Sequence, residues 1–441
     1  MKYEIILQYI KNEISKNNIK IGEKLPSIRS ICDKFQCSKV TAVKAYDILE
    51  KEHIIYSMPK SGYYLLKENN ILNKNNFEKK IDFSTSRLDK YIILENEFQY
   101  CIDEAMKLYK ENIFTYSDPQ GIENLINVIV KQLQDYQVFT DKKCVFITSG
   151  TQQAINILTM MPFPNNKENV LIEQPTYYGV IKSLELNNIN AIGIKRKASG
   201  IDLDELENIF KNHNIKFFYT IPRFHNPTGF SYSNNDKKEI LKLAEKYDVY
   251  IVEDDYLADL EINKRSDPIY ALDMSSRVIY LKPYSKIILP GLRVAAVVLP
   301  KLLVDTFEKY KRWSDLNTSL ISQGALEIYI KSGMFNSHRK KIKNIYSHKM
   351  SYLNELTKKL NSNNIKWYIP ESGFFASFEV ADKINIKDII KRLNSQNVLL
   401  KDPKAFYLNN YIEDKLIRLS ISVENNDGIK EGINTLIKEI Y

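Results

Sequence analysis

Apolar residues near the start of the chain recur at helical spacing. Ile5, Ile6, Tyr9, Ile10 and Ile14 mark one face of a helix over Tyr3 to Ser15, and Gly22 breaks the pattern. Leu25-Pro26-Ser27 reads as an extended residue before a proline, followed by a serine suited to cap a second helix from about Ile28 to Phe35. Ser38 is a second cap, and Lys39 to Lys51 predicts a third helix. Its apolar side is Val40, Val43, Ile48, Leu49 and part of Tyr46, while Ser38, Lys39, Thr41 and Lys44 are exposed at its start. Ile54-Ile55-Tyr56 and Tyr63-Tyr64-Leu65-Leu66 flank Pro59-Lys60-Ser61-Gly62 and predict a hairpin wing. Three short helices and a wing can lay the third helix in a DNA major groove, its first side chains toward base edges.

Lys67 to Lys80 is polar and Asn-rich and reads as a flexible connector, after which Ile81-Asp82-Phe83-Ser84 begins a second domain. From about residue 110 the pattern changes. The short apolar runs Val145–Thr148, Val170–Glu173, Ala191–Ile194, Phe217–Tyr219, Val249–Val252 and Val278–Leu281 alternate with amphipathic stretches, among them helices from Gln152, near Tyr178 and over Leu203 to Phe210. Strands alternating with helices argue for an α/β fold with a mostly parallel sheet, whose ligands lie at the carboxyl ends of the strands. Helices over Leu320 to Ile330 and His338 to Leu360, and strands over Gly373 to Phe378 and Leu416 to Ser420, predict a smaller α+β part. The expected boundaries are 1–67, a linker over 68–81, and 82–441. The large part of the last region covers about 115–315, and the small part about 316–441 with the preceding N-terminal segment.

Composition narrows the class. With 441 residues, 44% hydrophobic and 27% charged, the chain suits two or three globular domains. No apolar run is long enough to span a bilayer and the start lacks a signal-peptide pattern, so the expected compartment is the cytoplasm, with no membrane partner. Cys32, Cys37, Cys101 and Cys144 are too few and scattered for a disulfide framework. Cys32 and Cys37 lack the spacing and histidines of a zinc site; they are expected as small core residues, and no metal is expected. The first 67 residues hold 12 Lys and Arg against 7 Asp and Glu, more than half of the chain's net charge of +9. That asymmetry fits a nucleic-acid-binding module at the N-terminus.

Candidate chemistry gathers at the predicted strand ends. Lys286 follows the Val278 run, with Arg293 two helical turns on. Thr148-Ser149-Gly150-Thr151-Gln152 is a strand-to-helix turn, either a plain cap or an anion site for a phosphate. Asn226-Pro227-Thr228-Gly229 reads as a turn whose asparagine can donate to a phenolate oxygen. Glu253-Asp254-Asp255-Tyr256 ends another strand; its carboxylates suit helix caps, a metal, or an aspartate facing a ring nitrogen.

Leu25-Pro26-Ser27-Ile28-Arg29, Ser38-Lys39-x-Thr41-Ala42-x-x-Ala45-Tyr46-x-x-Leu49 and Lys60-Ser61-Gly62-Tyr63-Tyr64 make residues 3–66 resemble the winged-helix domain of GntR-type bacterial regulators. His53 departs from the glycine usual before the wing strand. The resemblance implies DNA contacts from Arg29, Ser38, Lys39, Thr41 and Lys44, with Lys60 and Gly62 near the minor groove or backbone. Ser149-Gly150-Thr151, Asn226-Pro227-Thr228-Gly229, Asp254-x-Tyr256, Ser285-Lys286 and Arg293, in that order, resemble fold-type-I aminotransferases, which use pyridoxal 5′-phosphate (PLP). The whole chain looks like a MocR-type regulator, the GntR subgroup with an aminotransferase-like effector domain.

By that resemblance Lys286 forms the internal aldimine, Asp254 pairs with the pyridinium nitrogen, and Asn226 and Tyr256 hydrogen-bond the ring oxygen. Ser149, Gly150, Thr151, Ser285 and Arg293 hold the phosphate. Tyr177 stacks on the ring, Tyr116 reaches the phosphate of a partner subunit, and Arg418 clamps an effector carboxylate, its alternative being a surface strand arginine. Pro283 stands where many relatives have a phosphate-binding hydroxyl, which leaves more of that work to Ser285 and Arg293. The basic run His338-Arg339-Lys340-Lys341 is read as a solvated helix start. The implied partners are double-stranded promoter DNA, an amine, amino acid or PLP effector, and a second copy of the chain. The alternatives are a working aminotransferase with an accessory DNA-binding domain, and a regulator whose pocket has lost the cofactor.

Overall fold

The computed structural model describes residues 2–16, 18–20, 22–51, 54–58, 61–65, 80–89, 92, 95–263, 266–360, 364–413 and 415–440. The chain divides into two compact units, Met1–Lys79 and Lys80–Tyr441.

The first unit holds helices α1 (Lys2–Ser15), α2 (Ile28–Phe35) and α3 (Lys39–Lys51), then the antiparallel strands β1 (Ile55–Met58) and β2 (Gly62–Leu65), paired from Ile55–Leu65 to Met58–Gly62. Ser27 caps α2 by accepting the Ser30 N–H at 3.1 Å, and α2 ends at Gln36 in a left-handed conformation (φ 45°). Ser38 caps α3 by accepting the Thr41 N–H at 3.3 Å. The core is Ile6, Ile10, Ile14, Leu25, Ile31, Ala42, Ala45, Tyr46, Leu49 and the buried ends of the hairpin; Cys32 and Cys37 pack against it half-buried.

Three expectations need correcting here. Val40 is 78% exposed and Ile5 60% exposed, while Tyr46 is wholly buried and donates to the Pro26 carbonyl at 2.6 Å. The buried stripe of α3 is Ala42, Ala45, Tyr46 and Leu49, a clean i, i+3, i+4, i+7 set. The two alanines let the helices approach closely, and that turns Val40 outward with Lys39.

The second unit opens with β3 (Ile81–Asp82). It continues with β4 (Val145–Thr148), β5 (Asn169–Gln174), β6 (Ala191–Lys195), β7 (Ile215–Thr220), β8 (Tyr250–Asp254), β9 (Val278–Pro283) and β10 (Ala295–Val298). These seven form one sheet in the order β4-β10-β9-β8-β7-β5-β6, with β10 alone running against the rest. Helices Thr151–Met160, Tyr178–Leu186, Leu203–Asn212 and Asn234–Lys246 fall between its strands. Strands β4, β7, β8 and β9 are buried along their whole length, as expected for a sheet covered on both faces, so they read as unbroken apolar runs.

A smaller sheet follows, β11 (Ile365–Tyr368), β12 (Phe375–Val380) and β14 (Leu416–Ser420), antiparallel in that order; β13 (Val398–Leu399) pairs in parallel with β3. Ile81 and Phe83 therefore belong to the core of this smaller layer, with Ile417, Leu419, Ile429 and Leu436. Gly373, expected in a strand, precedes β12 at φ 109°, where a Cβ would meet the Phe224 ring at 2.9 Å. The long helix Met334–Lys358 starts one turn earlier than its pattern suggests. His338 is buried rather than solvated, and Arg339 donates to the Tyr136 hydroxyl at 2.9 Å, while Lys340 and Lys341 are exposed.

Candidate functional site

The carboxyl ends of β4, β5, β7, β8 and β9 open toward one place, and most of the candidate residues meet there. Along β8 side chains alternate between faces. Glu253 accepts the N–H groups of Ile269 and Tyr270, both at 2.9 Å, and Asp255 takes Arg223 Nε at 3.0 Å and the Tyr280 hydroxyl at 2.7 Å. Asp254 lies between them and faces the other way. Its Oδ2 accepts from Tyr219 at 2.8 Å, and its Oδ1 is buried with no partner among the described residues. Burial pushes its carboxyl up to about 7, against the Tyr219 hydrogen bond and the Lys286 charge. No cluster of three His, Cys, Asp or Glu among the described residues is placed to hold a metal.

Lys286 follows β9. Its Nζ donates to the Ser86 carbonyl at 3.1 Å and to the Ser86 hydroxyl at 2.9 Å. Burial first, then the Arg418 and Arg293 charges, hold its amine down to about 8, with Asp254 opposing. The turn is braced from the long helix, where His338 Nε2 lies 2.7 Å from the Ile287 carbonyl.

The turn after β4 is shaped around Arg293. Gly150 has φ 82°, and a Cβ there would sit 2.6 Å from Arg293 Nη2. Arg293, itself left-handed at φ 51°, donates through Nη2 to the Ser149 carbonyl at 3.1 Å. Helix Thr151–Met160 starts with no side-chain cap, so the positive end of its dipole lies at this turn. The Ser285 hydroxyl is buried without a partner among the described residues. The Ser149 N–H is taken by Gln153 Oε1 at 2.7 Å.

Arg418 is not a surface residue: it is 3% exposed. Its guanidinium lies 4.5 Å from the Phe375 ring centroid and 4.9 Å from that of Phe406. Nη1 donates to Asn226 Oδ1 at 3.1 Å, Nη2 to the Ser84 carbonyl, and Nε is buried without a partner among the described residues. Burial holds this guanidinium down to about 10. The turn carrying Asn226 is held by Glu173, which accepts from Thr220 Oγ1, the Ile221 N–H and Tyr232 at 2.9, 3.0 and 2.6 Å. Tyr177 donates to Gln152 Oε1 at 3.2 Å, and Tyr256 donates to the Phe224 carbonyl at 2.6 Å. Tyr116 is not brought into the cluster; it is 82% exposed.

Sequence reasoning missed Tyr219, Ser84, Ser86 and His338. Tyr219 was hidden inside an apolar strand run. The serines are joined to Lys286 and Arg418 across 200 and 334 positions, a distance at which no local pattern signals contact.

On the first unit, Arg29, Ser38, Lys39, Val40 and Lys44 are exposed and Thr41 half-buried, with Thr41 Oγ1 2.9 Å from Ser38 Oγ. Gly62 opens β2 at φ 120°. Lys60 and His53 lie outside the described residues.

A helical DNA reader with a wing, joined to an aminotransferase-type sheet with its lysine at a strand end, defines a class of transcription regulator. Residues 2–65 match the model of the bacterial regulatory proteins of the gntR family, and residues 78–436 that of aminotransferase class I and II. The uncharacterized HTH-type transcriptional regulator YcxD of Bacillus subtilis is 43% identical over the full length of both chains. The HTH-type transcriptional regulator NorG of Staphylococcus aureus is 25% identical over 95% of this chain and 100% of its own. Among solved structures, Pyrococcus horikoshii kynurenine aminotransferase, in complex with PMP, is 27% identical with a TM-score of 0.76, covering 82% of this chain and 91% of that one. LysN, an α-aminoadipate aminotransferase of Thermus thermophilus, shares the fold with a TM-score of 0.75 at 24% identity, covering 82% and 92%. The chain belongs to the gntR-family regulators fused to an aminotransferase class I and II domain, the MocR type. No helix among the described residues is long and apolar enough to cross a membrane.

Proposed function

We propose that this regulator binds promoter DNA and holds pyridoxal 5′-phosphate, and that it responds to an amine, an amino acid or the cofactor itself at Lys286. In this reading residues 1–67 grip the DNA, 68–81 connect, and 82–441 hold the effector. The carrying observation is the pairing of a buried lysine held at about 8 with a buried aspartate oxygen that has no partner among the described residues, in one site. The cofactor supplies an aldehyde carbon that an amine can attack and a ring that withdraws electrons.

This chain's residues fit it. Asp254 Oδ1 is free to take the ring nitrogen, with Tyr219 holding the other oxygen. Asn226 and Tyr256 would hold the ring oxygen and Tyr177 would cover the ring face. The uncapped helix start at Ser149-Gly150-Thr151, the Ser285 hydroxyl, which has no partner among the described residues, and Arg293 would hold the phosphate, which suits both the dipole and a guanidinium fork. Pro283 offers no hydroxyl there. Arg418 would hold an effector carboxylate.

The neutral amine is the nucleophile, so capture of the cofactor follows deprotonation of Lys286. With a value of about 8, roughly one amine in ten is neutral at pH 7, against about one in three thousand for an unperturbed lysine. The second-order rate of cofactor uptake is expected to rise about tenfold from pH 6 to 7 and level off above 8. A rate still climbing beyond pH 9.5 in stopped-flow absorbance would contradict the assignment.

For the DNA unit, Lys39→Ala is expected to weaken promoter binding and lower the salt slope of log K by about one unit. An unchanged slope with relaxed sequence preference would make Lys39 a base contact instead. The exposed apolar side chains Tyr100, Met106, Phe114 and Tyr116 suit burial against a second copy, in which Tyr116 would reach the partner's phosphate. Light scattering should give twice the 51.5 kDa chain mass at micromolar concentration. In this reading the protein would act on promoter DNA in the cytoplasm.

A second reading, a working aminotransferase, is favoured by Asp254 and Arg418 both being buried in the same site. Sustained turnover with amino-acid and 2-oxo-acid pairs would support it; a spectral change without turnover, coupled to altered DNA binding, supports the sensor.

A further inference from the structure

The first stretch of the second unit crosses the site. Ile81 and Phe83 donate their N–H groups to the Asn397 and Leu399 carbonyls at 2.9 and 3.0 Å, and the Asp82 N–H goes to Glu424 Oε1 at 2.7 Å. Asp82 Oδ1 then accepts the Ser84 N–H at 2.9 Å, the Ser84 hydroxyl at 2.6 Å and the Thr85 N–H at 3.2 Å, folding the chain into a tight turn. The turn delivers its acceptors to both cations of the site. The Ser84 carbonyl takes Arg418 Nη2, and the Ser86 carbonyl and hydroxyl take the Lys286 amine. One three-residue stretch therefore gives acceptors to the amine and to one arm of the guanidinium together. In sequence it continues, through residues 66–79, into the DNA-binding unit.

Arg418 shows how a ligand would compete. Its Nη1 is committed to Asn226, and its Nε is buried with no partner among the described residues. A carboxylate binds a guanidinium best through two parallel N–H groups. The edge made of Nε and Nη2 is half open, and the group in the way is the Ser84 carbonyl. A carboxylate there displaces Ser84 and leaves Asn226 in place. A carboxylate displaces a neutral carbonyl on a guanidinium because it brings the opposite charge and two acceptor oxygens to a fork of which one carbonyl fills only half. In the same way, any group bonded to the Lys286 nitrogen takes the N–H donors that Ser86 now accepts.

We propose that Ser84–Ser86 is a strap that closes the site and is released when a phosphopyridoxyl ligand bearing a carboxylate occupies Arg418 and the Lys286 pocket. Release leaves the connector to the DNA-binding unit anchored at this end by the two-residue strand β3 and the Asp82–Glu424 bond. The ligand acts through its different affinity for the strapped and unstrapped states, as any effector must. The inference rests on the cofactor reading above and adds to it the element that registers occupancy.

Hydrogen–deuterium exchange of the full chain tests it with three probes: PLP, pyridoxamine 5′-phosphate, and N-phosphopyridoxyl-L-alanine, each shown to be bound by absorbance and calorimetry. Exchange over residues 81–89 should rise at least about tenfold with the alanine adduct, which carries the carboxylate. It should stay at the unliganded level with pyridoxamine 5′-phosphate, which has neither carboxylate nor aldehyde. With PLP, which engages Lys286 but brings no carboxylate to Arg418, the rise should be intermediate. Asp82→Ala, which removes three bonds of the turn, should still bind all three probes but exchange at the adduct-bound level before any is added. Bound adduct with unchanged exchange over 81–89 overturns the strap while leaving the cofactor reading intact. Failure of all three probes to bind overturns the cofactor reading, and the strap with it.

Discussion

Lys286→Ala protein mixed with pyridoxal 5′-phosphate should develop no visible absorption band beyond that of free cofactor, and its DNA binding should no longer respond to amines. The loss is expected to be complete, because no other described lysine shares a site with Asp254 and Arg293. The usual worry, that removing a buried side chain unfolds the protein, runs the other way here. The folded-state value of Lys286, about 8, lies below that of an unfolded lysine. The charged form is therefore disfavoured by folding. That penalty is fully present below pH 8, fades as pH rises from 8 to about 10.5, and amounts to about 3 kcal/mol at pH 7. Alanine removes it, and against it stands the cost of leaving the Ser86 acceptors without a donor, about 1–3 kcal/mol. The variant should melt within a few degrees of the parent by calorimetry, so a colourless but folded protein is the expected result. A folded variant that keeps both the band and the DNA response would end the assignment.

Asp254→Asn should separate capture from chemistry. The amide keeps the shape and can still accept from Tyr219, so Lys286 should still take up the cofactor. What it cannot do is carry the negative charge that holds a ring nitrogen protonated. The spectral change on adding an amino-acid mixture should slow by about a hundredfold or more, the scale seen when one preorganised electrostatic contact is removed. The pH dependence of stability provides an internal control. Asp254 has a folded-state value raised to about 7, chiefly by burial, so its contribution is favourable at low pH and is lost as pH rises from about 4 through 7. The asparagine variant should lack that loss and, at pH 8 without cofactor, melt above the parent. Equal rates in the two proteins would remove Asp254 from the chemistry.

What was legible in the sequence depended on how far apart the interacting residues lie. The parallel strands were readable because both faces of the sheet are covered, which leaves unbroken apolar runs such as Val278–Leu281. Ser149-Gly150-Thr151, Asn226, Asp254, Lys286 and Arg293 were readable as spaced motifs, and the fold draws them to one end of the sheet. The buried stripe of α3 was misplaced because Ala42 and Ala45 carry little apolar signal yet are fully buried in the core, while Val40, the stronger signal, is turned outward. The burial of Arg418 could not be read from its strand. It follows from Phe375, Phe406 and Asn226, which only the folded chain brings around it. Tyr219, Ser84, Ser86 and His338 belong to the same group: each acts on a neighbour distant in sequence.

Lys286 and Arg293 share one loop. Pro283 pairs with Ala295 where β9 meets the antiparallel β10, and the Tyr284 N–H closes on the Val294 carbonyl at 3.0 Å, so the loop is pinned at its mouth. The backbone span between the two residues is thus set by a single closed ring, which His338 and the Ser149 carbonyl then brace from outside. Lengthening or shortening that ring by one residue would detune both anchor points at once.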